Sequence, residues 1–473
     1  MASLYQSTSN MSWPQVLAPF FTSLGLPFAN ILSAEDIRQA FADAKVSFGA
    51  TYNIFFTPAI TLWAFLSQVP DKTKSCRAAV LRVLAFLVAQ GRPVCSAVTG
   101  AYCRARAKIP AGVLRRLALL VGRRLEAAAP KEWLWRGRSV KLVDGTTVDT
   151  PDTPDNQKVY PQSPNQQSGL GFPLIRMVVL LSLATAGLQG MAMGPYSGKE
   201  TGETALLRQL LGELTAGEVL LADRYYCSYW LVALAWQRGV EVVFRLHHRR
   251  GYDFRRGRRL GPKDHEVAWH KPRRPEWMDA ATYASLPDTL TVREFEYSIK
   301  TQGCRTKSIV VVTTLVDSEE YALEDIADLY YERWHVELDL RNIKQSLGMD
   351  HLSCLTPFML EKEIWAYWLG YNLVRKVSCQ AALVKGIHPR EVSFAATQQL
   401  VMAEWTSLTM ASAEEQTRQG LALLLVLGKE KVGQRPNRCE PRAVKRRPKE
   451  YDRLTKPRRQ AREELLRGQG QRR

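Results

Sequence analysis

The stretch YYERWHVELDLRNIKQSLGMDHL, residues 330–352, carries apolar side chains at helical spacing and an unusual polar row beside them. On a wheel advancing about 100° per residue, with Tyr330 at zero, Arg333 falls at roughly 300°, Glu337 near 340° and Lys344 near 320°. The apolar set Val336, Leu340, Ile343 and Leu347 lies at roughly 220° to 280° on the same wheel, so the polar row borders the core face. A solvated helix sets its charges opposite its core. One acid, two bases and a phenol along the core boundary point instead to a shared ligand; the plainer alternative is a surface i,i+4 ion pair of Arg333 with Glu337.

The surrounding chain narrows the ligand. Its 473 residues are enough for several domains with sizeable cores. Lys and Arg outnumber Asp and Glu by 65 to 46, giving a net charge of +19 and a pI near 9.6, which favours a polyanionic partner, nucleic acid first. The eight cysteines form no C-x-x-C pair and no zinc-ligand spacing with the seven histidines, as expected of free thiols in a reducing compartment. The opening residues MASLYQSTSNMSW hold no basic region followed by an apolar run. The longest aliphatic run, LALLLVL at 421–427, is too short to span a bilayer. The expectation is a soluble, cytoplasmic protein with no membrane partner.

Residues 34–130 read as helices: SAEDIRQAFADA opens with a Ser cap, TPAITLWAFLSQV has Pro at its first position, and SCRAAVLRVLAFLVAQ ends at GRP. The basic segment that follows, through RRLALLVGRRLEAAAP, reads as the second helix of a helix-turn-helix DNA reader or as the basic face of a small helical domain. From residue 138 short β-branched runs (SVKLVDG, LIRMVVLLSLA, GEVLLADR, VEVVFRL) alternate in part with helices such as ETALLRQLLGEL, the pattern of an α/β sheet with parallel elements. HEVAWHK, TLTVREFEYSI and TKSIVVVTTLVD, between 247 and 317, read as an antiparallel β insertion. A long helix is expected after Thr356-Pro357. Residues 431–473 carry sixteen Lys and Arg against five acids, +11 of the total charge, and read as flexible unless bound.

Two of the apolar runs end in an acid, Asp144 in KLVDGT and Asp223 in VLLADRYY. Ligand sites of open α/β sheets lie at such strand ends; a turn former or helix cap is the alternative for either residue alone. With Glu337 they supply three hard oxygen donors, suited to a pair of Mg²⁺ ions about 4 Å apart for phosphoryl transfer. Tyr330, Arg333 and Lys344 then suit a DNA phosphate held against those ions, since charge-assisted contacts fix register without reading bases.

The pattern Tyr330-x2-Arg333-x3-Glu337-x6-Lys344, with Asp144-Gly and Asp223-Arg-x-Tyr upstream, resembles the signature of bacterial DDE transposases of the insertion-sequence-four family. Similarity in NQQSGLGFPLIRMV, VVVTTLVD and RPNRCEPRAVKRRPKEY extends it over most of the chain. The resemblance implies a ribonuclease-H-like catalytic domain interrupted by a β insertion, with Asp144, Asp223 and Glu337 as metal ligands and Tyr330, Arg333 and Lys344 on phosphates. It also implies Mg²⁺ dependence with Mn²⁺ able to substitute, cut-and-paste movement of DNA bounded by inverted repeats, a homodimer formed on DNA, and association with a bacterial nucleoid. The divisions expected are a helical DNA-binding domain at 1–135, catalytic parts at 136–246 and 318–400, the insertion at 247–317, and a helical segment with basic tail at 401–473. An endonuclease without strand transfer and a non-catalytic, transposase-derived binding protein are the competing readings.

The run HHRRGYDFRRGRR at 247–259 interleaves bases with aromatics as a phosphate-tracking loop does, which makes Arg249, Arg250, Arg255 and Arg256 candidate DNA contacts, or else a solvated charge run. His247 and His248 have no adjacent carboxylate and make poor Mg²⁺ ligands. Relatives that pass through a DNA hairpin hold a displaced base with an aromatic residue late in the insertion. No Trp lies between Trp277 and Trp334, so Trp269 and Trp277 are the available residues, unless both are core.

Overall fold

A computed structural model describes residues 11–433, apart from 23–24, 47, 49–54, 72 and 299–307, and residues 454–467. Its frame is one mixed sheet. The strands are β1 (Val140–Asp149), β2 (Leu174–Ser182), β3 (Leu188–Pro195), β4 (Val219–Ala222), β5 (Glu241–Arg245), β6 (Arg258–Gly261), β7 (Asp264–His270), β8 (Thr289–Ser298) and β9 (Ser308–Thr313). They lie in the order β3-β2-β1-β4-β5-β9-β8-β7-β6. The β1–β4 and β4–β5 pairs are parallel, and every other pair is antiparallel. Strands β6 to β9, which lie within 247–317, are antiparallel, and through β9 they pair with β5, so they prolong the sheet of β1 to β5 instead of forming a sheet of their own.

Strand alternation divides the sheet into two apolar faces. Val143, Val178, Leu220, Ala222, Val242 and Phe244 face helices Glu203–Leu210 and Tyr229–Trp236. Val140, Leu142, Val179, Val219, Leu221 and Val243 face the core shared with helices Ala111–Ala127 and Pro357–Lys385 and with the signature segment. The 357–385 helix begins where the sequence places it, with Thr356 capping the Met359 amide and Pro at the first helical position, and stops at Gly386 in the left-handed region, φ 68°. Its Asn372 ties three elements together: the side-chain oxygen accepts from the Leu188 amide at 2.7 Å, and the side-chain nitrogen donates to Ala118 at 2.7 Å. Gly122 is needed where the 111–127 helix meets β3, because a Cβ there would lie 1.7 Å from the Leu188 carbonyl oxygen.

Three readings change. The basic N-terminal stretch breaks at Pro110 into helices Gly100–Lys108 and Ala111–Ala127, and the second buries Val113, Leu114, Leu117, Val121 and Leu125 in the main core. Its Arg116, Arg123 and Arg124 pair with Asp43, Glu213 and Asp36. The apolar face of this helix is part of the main core, and the helices from 34 to 127 share that core with the sheet. The strand β3 (LQGMAMGP) was not read from the sequence because it lacks β-branched residues; β6 was hidden inside the basic run. In the tail, residues 434–453 and 468–473 lie outside the described residues, while Arg458–Leu466 forms a helix rooted by Arg458, which pairs with Asp152 at 2.9 Å and covers the Phe172 ring at 3.9 Å. No helix among the described residues is long and apolar enough to cross a membrane.

Lys376, fully buried in the 357–385 helix, has Thr22 Oγ1 as its hydrogen-bond partner at 2.6 Å, and burial pulls its pKa down to about 7. The unfolded chain then binds the extra proton from pH about 7 up to the ordinary lysine range, so this residue makes stability rise with pH across that interval. Thermal melts at pH 7 and pH 9 are expected to show Lys376→Met more stable than the parent at pH 7, with the difference narrowing at pH 9.

Candidate active site

The parallel register Val140↔Val219, Lys141↔Leu220, Leu142↔Leu221 stops two residues short of both aspartates, and continuing it by two places sets Asp144 level with Asp223. Alternation puts both on the face of Leu142 and Leu221, the face on which the signature segment packs. Asp144 is not at the end of its strand, as the sequence reading had it. β1 continues to Asp149 beside β2, and Asp144 lies at the end of the parallel pairing alone. Asp144 Oδ1 accepts from the Gly145 amide and Asp223 Oδ1 from the Tyr225 amide, both at 2.8 Å, so Asp223 also makes the turn contact weighed as its alternative role.

The signature segment is not one uniform helix. It runs as α-helix Leu323–Tyr331, a 3₁₀ turn Glu332–Trp334, α-helix His335–Arg341 and a π turn Asn342–Ser346. Val336, Leu340, Ile343 and Leu347 are buried as the spacing requires. Arg333 Nη2 lies 3.0 Å from Glu337 Oε1, so the simple i,i+4 pair exists, and the Arg333 charge also acts on Asp144 and Tyr330. Tyr330 is buried, and burial pushes its hydroxyl up to about 12 against the opposing pull of Arg333 and Arg245. Lys344 Nζ donates to the Thr147 carbonyl on β1 at 3.0 Å and lies 3.3 Å from Asp350.

Burial pushes the Asp144 carboxyl up to about 7; the Gly145 amide and Arg333 oppose this, and the charges of Asp223 and Glu203 add to it. Glu203 is a residue the sequence reading missed. It opens helix Glu203–Leu210, accepts from the Tyr226 hydroxyl at 3.3 Å, and is itself raised by burial. Its side chain occupies the space beside Gly145, where a Cβ would come within 2.3 Å of Glu203 Cδ. The one local signal was that glycine directly after a strand acid.

The insertion begins at His247, whose pKa is held below its usual value by burial and the charges of His248 and Arg249, with Arg224 adding to this and Asp223 opposing it. Arg250 stacks over the Trp269 ring at 3.5 Å, and Trp269, 2% exposed, donates to Glu294 at 2.8 Å. Trp277 lies half-buried beneath Arg208 at 3.8 Å and edge-on to Trp230. Trp269 belongs to the core, and Trp277 packs against it. Arg249, Arg255 and Arg256 are exposed, with Arg255 held 2.9 Å from Asp253, and no contact among the described residues brings them to the carboxylates. His247 and His248 stack on each other at 4.4 Å. Among the described residues no three His, Cys, Asp or Glu side chains converge closely enough, as placed, to hold a metal ion.

The family described as Transposase DDE domain matches residues 135–373, just over half of the chain and all of the elements above from β1 to the middle of the long helix. The transposase InsG for insertion sequence element IS4 of Escherichia coli (strain K12) is 26% identical over 398 residues, covering 82% of this chain and 85% of that protein. Among solved structures, a cryo-EM structure of the piggyBac transposase synaptic complex with hairpin DNA aligns with a TM-score of 0.43 and 12% identity, over 88% of this chain and 85% of that one. The chain belongs to the DDE transposase family. It is a DNA transposase, similar to that of insertion sequence element IS4.

Gly145→Ala should push Glu203 off its Tyr226 contact and disturb the adjacent Asp144. Overpacking of this kind costs about 1–3 kcal/mol, to be read in denaturant unfolding, and DNA cutting is expected to fall further than stability alone accounts for.

Proposed function

We propose that Asp144, Asp223 and Glu337 are the catalytic carboxylates of this transposase, and that Tyr330, Arg333 and Lys344 grip DNA phosphates beside the cut. The observation that carries this reading is the parallel register of β1 with β4, which, continued two places, sets Asp144 level with Asp223, one residue past β4, on the face where the Glu337 segment packs. The strand order β3-β2-β1-β4-β5, with β4 and β5 parallel to β1, supports a ribonuclease-H-like catalytic domain formed by 136–246 and 318–400 around the 247–317 insertion. Residues 1–135 and 401–473 flank it and carry much of the positive charge that DNA requires.

The donor set fits hard divalent ions. All three side chains offer oxygen, and the Asp144 carboxyl is raised first by burial, with the charges of Asp223 and Glu203 adding to it. Bound there, two Mg²⁺ ions, or Mn²⁺ in their place, supply Lewis acidity for in-line phosphoryl transfer. The chain's own part is positional. Asp144 rides on β1, Asp223 directly follows its partner strand β4, and Glu337 is carried in by the signature segment. Arg333, on leaving Glu337, presents its guanidinium to a phosphate, while Lys344 adds positive charge beside β1. Water opens a phosphodiester at the element's end and frees a 3′-hydroxyl, which attacks a second phosphodiester at the same site. The outcome is cut-and-paste movement of a segment bounded by inverted repeats, by a homodimer pairing two ends on DNA at a bacterial nucleoid in the cytoplasm.

The test uses labelled duplexes carrying the inverted repeats that flank the gene. The parent is expected to cut and join them only with divalent metal, and Glu337→Gln to bind them as tightly while cutting at least about a thousandfold more slowly, a loss typical of removing one member of a catalytic constellation. Normal cutting by Glu337→Gln removes this residue from the reaction.

A further inference from the structure

The segment that carries Glu337 has a second polar face, which the signature spacing does not include. His335 Nε2 lies 2.8 Å from Glu332 Oε2, and Asp339 is 1% exposed. Both Asp339 oxygens are occupied: Oδ1 by Arg375 Nη2 at 2.7 Å and Oδ2 by Arg390 Nη1 at 3.0 Å. The two guanidiniums then reach elements outside the segment. Arg390 donates to the Ser182 carbonyl at 2.8 Å and the Leu183 carbonyl at 2.6 Å, where β2 turns into β3. Arg375 Nε donates to the Tyr371 hydroxyl at 3.1 Å, which donates to the Ala186 carbonyl at 2.9 Å in the same turn.

The local backbone explains why such an anchor is needed. The seven-residue helix His335–Arg341 has a 3₁₀ turn before it and a π turn after it, so the helical phase changes at both ends. A two-turn helix set between two changes of pitch has no long hydrogen-bond ladder to fix its rotation about its own axis. Its apolar stripe holds it down on the core, but aliphatic contacts tolerate rotation better than a carboxylate held at both oxygens by two planar cations.

We propose that Asp339, clamped by Arg375 and Arg390, is the positioning residue that sets the azimuth of Glu337 toward Asp144 and Asp223. The inference rests on the role of Glu337 proposed above. It adds an anchor running from the β2–β3 turn through the long helix to the carboxylate.

Full-length protein is titrated with Mn²⁺ alone, without DNA, and the rise in melting temperature is followed for the parent, Asp339→Asn, Arg390→Lys and Glu337→Gln. Asp339→Asn is expected to need about tenfold more Mn²⁺ for half of the full rise, the usual size of an effect transmitted to a metal ligand by a hydrogen-bonded neighbour. Arg390→Lys, which keeps the charge and loses the planar fork, is expected to shift the titration the same way, and serves alone if Asp339→Asn does not fold. A lower melting temperature with an unchanged Mn²⁺ midpoint makes the clamp merely structural and overturns the proposal. If Glu337→Gln also leaves the Mn²⁺ titration unchanged, the reading of Glu337 has failed instead. Amide hydrogen exchange across 335–346 then decides the clamp by itself: faster exchange in Asp339→Asn supports it, and unchanged exchange overturns it.

Discussion

The parallel pairing of β1 with β4 is the constraint on which everything else rests. Three paired positions, Val140 to Leu142 against Val219 to Leu221, fix the relative height of two strands more than seventy residues apart in sequence. A slip of one residue would turn one aspartate to the opposite face, because side chains alternate along a strand. The pairing is protected from such slippage by burial on both sides, with Leu142 and Leu221 in one core and Val143, Leu220 and Ala222 in the other. Parallel strands buried on both faces have no solvent-tolerant alternative register.

Setting two carboxylates level creates an electrostatic problem that the rest of the site addresses. Asp144 is raised to about 7 by burial, with Asp223 and Glu203 adding to the effect, while Arg333 and the Gly145 amide draw it back. Arg333 also holds Glu337, so one guanidinium serves two acids of the candidate set. The planar fork of an arginine suits carboxylate and phosphate alike and keeps its charge in passing between them. The insertion strands contribute from the far side: β9 closes onto β5, and the root at His247 stands within electrostatic reach of Asp223.

What could be read from the chain was local, and what could not was long-range. Asp144 and Asp223 stood out because the short β-branched runs that lead into them announce themselves, and the long helix because Thr356-Pro357 marks its start. The apolar spacing of the signature segment was correct, yet it concealed two changes of helical pitch, because Val336, Leu340, Ile343 and Leu347 begin after the 3₁₀ turn and keep intervals of three and four through the π turn. The arginines of the 111–127 helix looked like a DNA-reading face because their partners Asp36, Asp43 and Glu213 are distant in sequence. Glu203 and Asp339 were invisible for the same reason. One is defined by the missing side chain of Gly145, the other by cations thirty-six and fifty-one residues away. In each case the composition of the segment was read correctly and its neighbours were not.

The central claim is that Asp144, Asp223 and Glu337 form one metal-holding site. Its most direct measurement is electron paramagnetic resonance of Mn²⁺ bound by the full-length protein on its end duplex, with each acid replaced in turn by its amide. The account predicts that Asp144→Asn, Asp223→Asn and Glu337→Gln each reduce the bound Mn²⁺ while the protein–DNA complex persists. Full Mn²⁺ occupancy in all three variants would contradict it.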